Sequence, residues 1–238
     1  MNRIGIMQPY LFPYLGYYAL IQYTDYFVLF DTPQYIRKGW INRNRILDAK
    51  GEPCYFTVPV EKAERERSIL YTKISNTVNW KQKIEGQLLV YKKKAPYYEQ
   101  TMSVVADVLN YQGDSICELA GRSIKKVCDY LDIKRQIDFF SKMQIDITTV
   151  EQPDEWALYI TKALGYETYV NPPGGMSFFR TELYKEHNID LQFLKIQLQP
   201  YVQRNGNFQE GLSIIDAMMF CKPDEIIKML DNYMIIKE

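Results

Sequence analysis

The sequence predicts an α/β fold: a mainly parallel sheet flanked by helices, with a largely helical middle segment. Three observations predict it. First, Arg3 to Met7 is a short apolar run that meets Pro9 and Pro13 and then an amphipathic stretch. Proline donates nothing to a sheet ladder and fits best at a strand end or in a first helical turn. The run therefore reads as a buried strand, Gln8 to Phe12 as a loop, and Pro13 as a helix start. Second, Tyr26-Phe27-Val28-Leu29-Phe30 is apolar, β-branched and aromatic, which reads as another buried strand. Strand, helix and strand this closely spaced form a βαβ unit with a right-handed crossover. Third, further helix and strand patterns follow, among them a helix over 154–165 and a strand at Glu167-Thr168-Tyr169-Val170. Together they read as a Rossmann-like sheet.

The chain has 238 residues, which suits a single α/β domain over 1–238, with 79–131 as a candidate helical insertion or subdomain. Lys plus Arg and Asp plus Glu both number 29, so formal net charge is zero. That argues against a general nucleic-acid or membrane-surface binder, which needs a basic excess. The 20 tyrosines serve a core and also suit polar-ligand clefts. Cys54, Cys117, Cys128 and Cys221 form no C-x-x-C pair, and His187 is the single histidine. They read as free thiols in a reducing cytoplasm, with no metal set. No secretory leader pattern and no run of about 18 apolar residues occurs, so neither secretion nor membrane insertion is expected.

After Pro13, Leu15, Tyr18 and Ala19 recur at helical spacing up to about Tyr23. Cys54 to Val60 reads as a third strand whose Pro59 marks an edge or an end. Glu61 to Ser68 is a charge run, most simply a solvated loop, and 69–74 reads as a short strand. Trp80, Ile84, Leu88 and Tyr91 mark a helix, Tyr97 to Tyr111 another, and Ser115 to Leu131 the cleanest amphipathic one. Its pattern puts Cys128 inside the apolar face and Cys117 outside its centre, with Ser115 and Glu118 as a capping box. Gln136 to Phe140 and Leu191 to Ile196 read as strands. The helix over 154–165 has Gly165 as its C-cap, and a helix is expected from Phe178 to Glu186, followed by an exposed His187. Tyr201 to Arg204 reads as an edge segment and 205–207 as a turn. Ser213 caps a helix over 214–220, in whose first turn Asp216 complements the helix dipole. Pro223 starts the last helix, with Tyr233 on its inner face.

Three stretches carry chemistry. The loop after the first strand leads to a helix N-terminus, where free N–H groups favour anions. The alternative is a well-packed proline and tyrosine corner. Asp31 to Ile46 is dense in amide, guanidinium and aromatic groups, too polar for core. It is either a solvated loop or a set of forks and rings aimed at a polar ligand. Asn171-Pro172-Pro173-Gly174-Gly175 either exposes N–H groups to an anion or makes an ordinary turn.

Met7 to Tyr17, Lys38-Gly39-Trp40-Ile41-Asn42-Arg43-Asn44, Asn171 to Gly175 and Leu212-Ser213-Ile214-Ile215-Asp216 resemble the WbqC-like family of bacterial proteins across nearly the full length. The resemblance implies a polysaccharide or O-antigen setting, and transferases that add glycine to an amino sugar have been proposed in that family. The first segment is also similar to the start of nucleotidyltransferases that carry F-Q-P and H-x-G-H. Here Tyr14 and Tyr17 hold the places of the two phosphate-binding histidines, and tyrosine is not cationic near neutral pH. The sheet is accordingly expected to be nucleotidyltransferase-like.

What the resemblance implies, and the expectation taken from it, is a transferase adding an acyl or aminoacyl group such as glycine to a nucleotide-linked or lipid-linked amino sugar. Asp31 is the expected base at a strand end. Lys38 and Arg43, with Asn44, would orient phosphates or the acyl oxyanion. Gln8, Pro9, Tyr10, Tyr14, Gly16 and Tyr17 would shape the nucleotide end. Gln34, Tyr35, Trp40 and Asn42 would meet the sugar or base, and Asn171, Gly174 and Gly175 would close the far wall. The alternatives are a non-catalytic binding module for a sugar nucleotide and a nucleotidyltransferase-like enzyme, with RNA binding behind them. The residues name no cofactor, acyl donor or oligomeric state.

Overall fold

A computed structural model describes residues 2–62, 66–147, 150–204 and 206–237. Its central sheet has six strands: β1 (Arg3–Met7), β2 (Tyr26–Leu29), β5 (Gln136–Phe139), β6 (Thr168–Asn171), β7 (Asp190–Ile196) and β8 (Tyr233–Lys237). The order across the sheet is β5-β2-β1-β6-β7-β8, parallel except for β8. Counted along the sheet's own strands this is the 3-2-1-4-5-6 order of doubly wound folds. The α/β expectation holds. A separate antiparallel hairpin joins β3 (Arg43–Leu47) and β4 (Pro53–Thr57).

The strands at the centre are apolar on both faces because helices cover both. Ile4, Ile6, Tyr26 and Val28 pack with α5 (Glu155–Ala163) and α6 (Thr181–Glu186). The alternate residues Phe27 and Leu29 pack on the other face with α1 (Leu15–Tyr23), α4 (Ile116–Tyr130), α7 (Ile214–Phe220) and α8 (Pro223–Leu230). Gly5 lies between them, and a Cβ there would sit 2.8 Å from the Phe27 ring. The middle helices α2 (Trp80–Leu88), α3 (Tyr98–Leu109) and α4 bury Ile84, Leu88, Val105 and Ile124 in the cluster that also holds Leu47 and Phe56.

Several expectations are corrected. The stretch from Asp31 to Ile46 is not wholly outside the core: Asn42, just before β3, and Asn44 and Ile46 within it are buried, while Arg43 and Arg45 lie half-exposed. The amides hid this alternation, because their burial depends on hydrogen bonds and not on apolarity. Residues 69–74 form turns, with isolated bridges at Lys73 and Ile74. Tyr233 belongs to the antiparallel edge strand β8, since the helix ends at Leu230 and Asn232 accepts from the Gln197 N–H. Pro173–Phe178 winds as a short 3-10 helix, so α6 starts only at Thr181. Cys117 is buried, and Ser115 accepts from the Glu118 N–H while the Glu118 carboxylate turns to the Tyr111 hydroxyl. His187 is half-buried against Tyr159 and Lys162. Residues 201–204 form no strand; Gln203 is buried and bonds Asp216. Part of the charge run, 63–65, and Asn205 of the expected turn lie outside the described residues. Among the described residues no helix is long and apolar enough to cross a membrane.

Candidate functional site

The strand order reverses between β1 and β6: β1 connects through α1 to β2 on one side and pairs with β6 on the other. Open α/β sheets bind ligands beyond the carboxyl ends of their strands at such a point. A cleft of about 670 Å³ lies there. Met7 and Gln8 come from the end of β1, Phe30 from β2, Phe140 from β5 and Asn171 from β6. The walls are aromatic. Phe30 and Phe140 meet edge to face at 5.2 Å between ring centres, and Trp156 lies 5.6 Å from Phe30 and 5.9 Å from Phe140. Phe178 and Phe179 close the side formed by the turn after β6. The polar groups are few: Gln8, Thr32 and Asn171, whose Nδ2 donates to the Tyr169 hydroxyl at 2.5 Å. Burial pushes that phenol well above its ordinary range. An ion-pair clamp holds the wall. Arg180 donates through Nε to Asp154 at 2.6 Å and through Nη2 to Glu155 at 2.8 Å, tying the 3-10 turn to the start of α5. The Glu151 N–H and Arg180 hold the Glu155 carboxyl below its usual value.

A second cleft, of about 600 Å³, opens between the β3–β4 hairpin and the loops on either side. Its lining includes Arg37, Lys38, Arg43, Lys62 and Arg67, against one described carboxylate, Glu61. The frame beneath is hydrogen-bonded. Buried Asn42 donates to the Val58 carbonyl at 2.7 Å and accepts from the Tyr35 hydroxyl at 2.8 Å, and the Tyr35 N–H reaches the Arg67 carbonyl at 2.9 Å. Arg43 donates to the carbonyls of Gly39 and Lys38 and lies 4.4 Å over the Tyr55 ring. Lys38 stands at φ +62°, a left-handed conformation that these two bonds help to hold. Thr32 and Pro33 line the first cleft and Gln34 and Tyr35 the second, so one loop borders both.

The residues expected from sequence divide accordingly. Gln8, Asn171 and Gly175 reach the aromatic cleft; Gln34, Tyr35, Lys38, Asn42 and Arg43 reach the cationic one. Gly174 is exposed and lines neither. Tyr10 and Trp40 lie 5.8 Å apart on a ring shelf that continues to Tyr55 at 6.0 Å. Tyr17 is core, its hydroxyl donating to the Gln8 carbonyl at 2.9 Å. Pro9 is buried. Gly16 makes room for the neighbouring Tyr14 ring. Asn44 is a tie for the proline loop: its Nδ2 donates to the Phe12 carbonyl at 2.5 Å and its Oδ1 accepts from the Arg45 N–H at 2.7 Å.

Asp31 departs most from expectation. It is 1% exposed and lines neither cleft. Its Oδ1 accepts from the Ser141 N–H at 2.9 Å; its Oδ2 accepts from the Ser141 hydroxyl at 2.5 Å and the Cys117 thiol at 3.7 Å. A carboxylate so sealed ties the end of β2 to the turn after β5. Sequence reasoning passed over Phe30, Phe140 and Trp156 because each also fits a core. Their one signal is position, since Phe30 and Phe140 directly follow strands that point into the crevice.

The WbqC-like protein family model matches residues 8–228, most of the chain. The chain belongs to the WbqC-like protein family. An uncharacterised protein of Mycobacterium tuberculosis, Rv1507c, is 25% identical over 221 residues, covering 92% of this chain and 93% of that protein. No solved structure matches the chain. In this WbqC-like protein the family match takes in both clefts: Gln8 and Asn171 of the first, Lys38 and Arg67 of the second.

Proposed function

We propose that this WbqC-like protein is a transferase of surface-polysaccharide synthesis that adds an acyl or aminoacyl group, glycine foremost, to an amino sugar. The observation that carries the reading is the aromatic cleft at the point where the strand order reverses. Phe30, Phe140 and Trp156 offer ring faces and edges to the apolar face of a pyranose, and Gln8 and Asn171 offer amides to its hydroxyls. The motifs shared with the WbqC-like family support the polysaccharide setting. The test is a thermal-shift series on the full chain with a nucleoside-diphosphate amino sugar, glycine and ATP, followed by mass detection of a glycine-bearing sugar. The amino sugar nucleotide is expected to raise Tm by mass action, and Asn171→Ala to reduce the shift. No shift in the wild type sinks the reading.

A second reading, a non-catalytic sugar-nucleotide module, is favoured by one feature. The described lining of the aromatic cleft holds no carboxylate, histidine, lysine or arginine, and Asp31 is sealed elsewhere. Binding without any transfer product selects it.

A further inference from the structure

We propose that the cationic cleft is a diphosphate site, one that takes the diphosphate group of a diphosphate ester. It deepens the reading above by giving the charged end of the substrate its own cleft. It rests on that reading for the sugar but not for the anion.

The first argument is charge. The chain as a whole is neutral, yet Arg37, Lys38, Arg43, Lys62 and Arg67 line one concavity with only Glu61 against them among the described residues. Some cations elsewhere are held in ion pairs: Lys126 with Asp107, Lys73 with Asp114, Arg180 with Asp154 and Glu155. Lys38, Arg43, Lys62 and Arg67 make no ion pair with a described residue. Like charges held together in a concave site repel one another and raise the local potential, which a bound polyanion relieves.

The second argument is preorganisation. The floor does not depend on long flexible side chains. Asn42 is buried and bonded at both ends of its amide, to Tyr35 and Val58. The loop that carries Lys38 is pinned by Arg43 in a backbone conformation that non-glycine residues rarely adopt. Guanidinium forks suit phosphate oxygens, and a diphosphate spreads its charge over several of them.

The third argument is what lies beside it. Arg43 belongs to the cleft and also covers Tyr55, which continues the shelf to Trp40; the two rings are 45% and 41% exposed. A nucleobase can stack there while its diphosphate enters the cleft. A lipid-linked diphosphate would use the cleft and not the shelf.

The test is titration calorimetry on the full chain with inorganic pyrophosphate, uridine diphosphate and a short prenyl diphosphate. All three are expected to bind at about 0.05 M ionic strength and to weaken several-fold at about 0.2 M. Lys38→Gln with Arg67→Gln is expected to weaken all three by about tenfold or more. Lys92→Gln with Lys93→Gln, on the exposed run, is expected to change none. Trp40→Ala separates the sources: selective loss of uridine diphosphate marks a nucleotide, and equal binding of all three marks recognition of the diphosphate alone. Failure of pyrophosphate to bind the wild type at low salt overturns the proposal. So does wild-type affinity in a Lys38/Arg67 double variant that keeps its circular dichroism and Tm, or single-stranded RNA that binds more tightly than uridine diphosphate. The Asn171→Ala shift reports on the other cleft, so pyrophosphate binding with no sugar effect retires the transfer reading and leaves this one standing.

Discussion

Asp31 allows a sharp separation of two roles. In Asp31→Ala the Ser141 N–H and hydroxyl and the Cys117 thiol lose their acceptor. Two hydrogen bonds to a carboxylate contribute about 1.5–3 kcal/mol each. Part of that returns, because the variant no longer buries a carboxylate and Ser141 lies exposed enough to meet water. The net loss expected is about 2–4 kcal/mol. Asp31→Asn is different. Its Oδ1 can still accept from the Ser141 N–H, and its Nδ2 can donate to the Ser141 hydroxyl oxygen. A loss of about 1 kcal/mol is expected. Urea unfolding at pH 7 measures both variants, and the shift given by the amino sugar nucleotide measures the cleft. Graded stability, with ligand response intact in Asp31→Asn, is the expected result. An Asp31→Asn protein as stable as wild type that binds substrate but has lost all turnover refutes this reasoning, and restores Asp31 as a base.

Two further predictions concern buried groups. Burial raises the Cys117, Cys128 and Cys221 thiols, the last two up to about 12, while Cys54 is half-buried. At pH 8 a chromogenic disulfide is expected to titrate Cys54 in the native chain and all four thiols only in denaturant; two or more fast native thiols contradict the burial. Asp216 sits in a pocket where Tyr91, Tyr201 and Gln203 donate to it at 2.7, 2.8 and 2.9 Å. Burial raises its carboxyl above the ordinary value in spite of these donors. The folded state therefore holds this proton more tightly than the unfolded chain does. That contribution is fully present below the unfolded value and is lost as pH rises through the folded one. The stability of wild type relative to Asp216→Asn is expected to fall as pH rises from about 4 towards neutrality, in urea midpoints taken at each pH. A difference independent of pH refutes the assignment.

How much was legible in the residues depended on what makes each residue bury. Ile4, Ile6, Phe27 and Val28 are apolar in the way central parallel strands require, so β1, α1 and β2 could be read directly. Asn42 and Asn44 bury because they satisfy backbone carbonyls brought from other segments, and no periodicity announces that. Tyr233 to Ile236 follows a helix with further apolar residues, and only the available edge of β7 makes it a strand. The cationic cleft was half visible. Lys38 and Arg43 stand in one polar stretch, but Arg67 arrives because its carbonyl accepts from the Tyr35 N–H and the Ile69 N–H donates to the Pro33 carbonyl, a tertiary event. Asp31 is buried against Ser141, a placement the residues do not announce, because a carboxylate at a strand end looks the same in sequence whether it faces a cleft or a neighbouring turn.

The pairing of β2 with β5 bears on how the molecule is made. These neighbours in the sheet are separated in the chain by the hairpin and three helices. Closing a loop of about a hundred residues carries an entropy cost of about 4 kcal/mol, which grows only slowly with length. The whole stretch between Phe30 and Gln136 must be synthesised before Phe140 can face Phe30. Trp156 and Asn171 come later still as the ribosome extends the chain. The aromatic cleft cannot exist on a nascent N-terminal half. The cationic cleft draws its described lining from residues 34–72, so its parts emerge first and await the rest of the molecule.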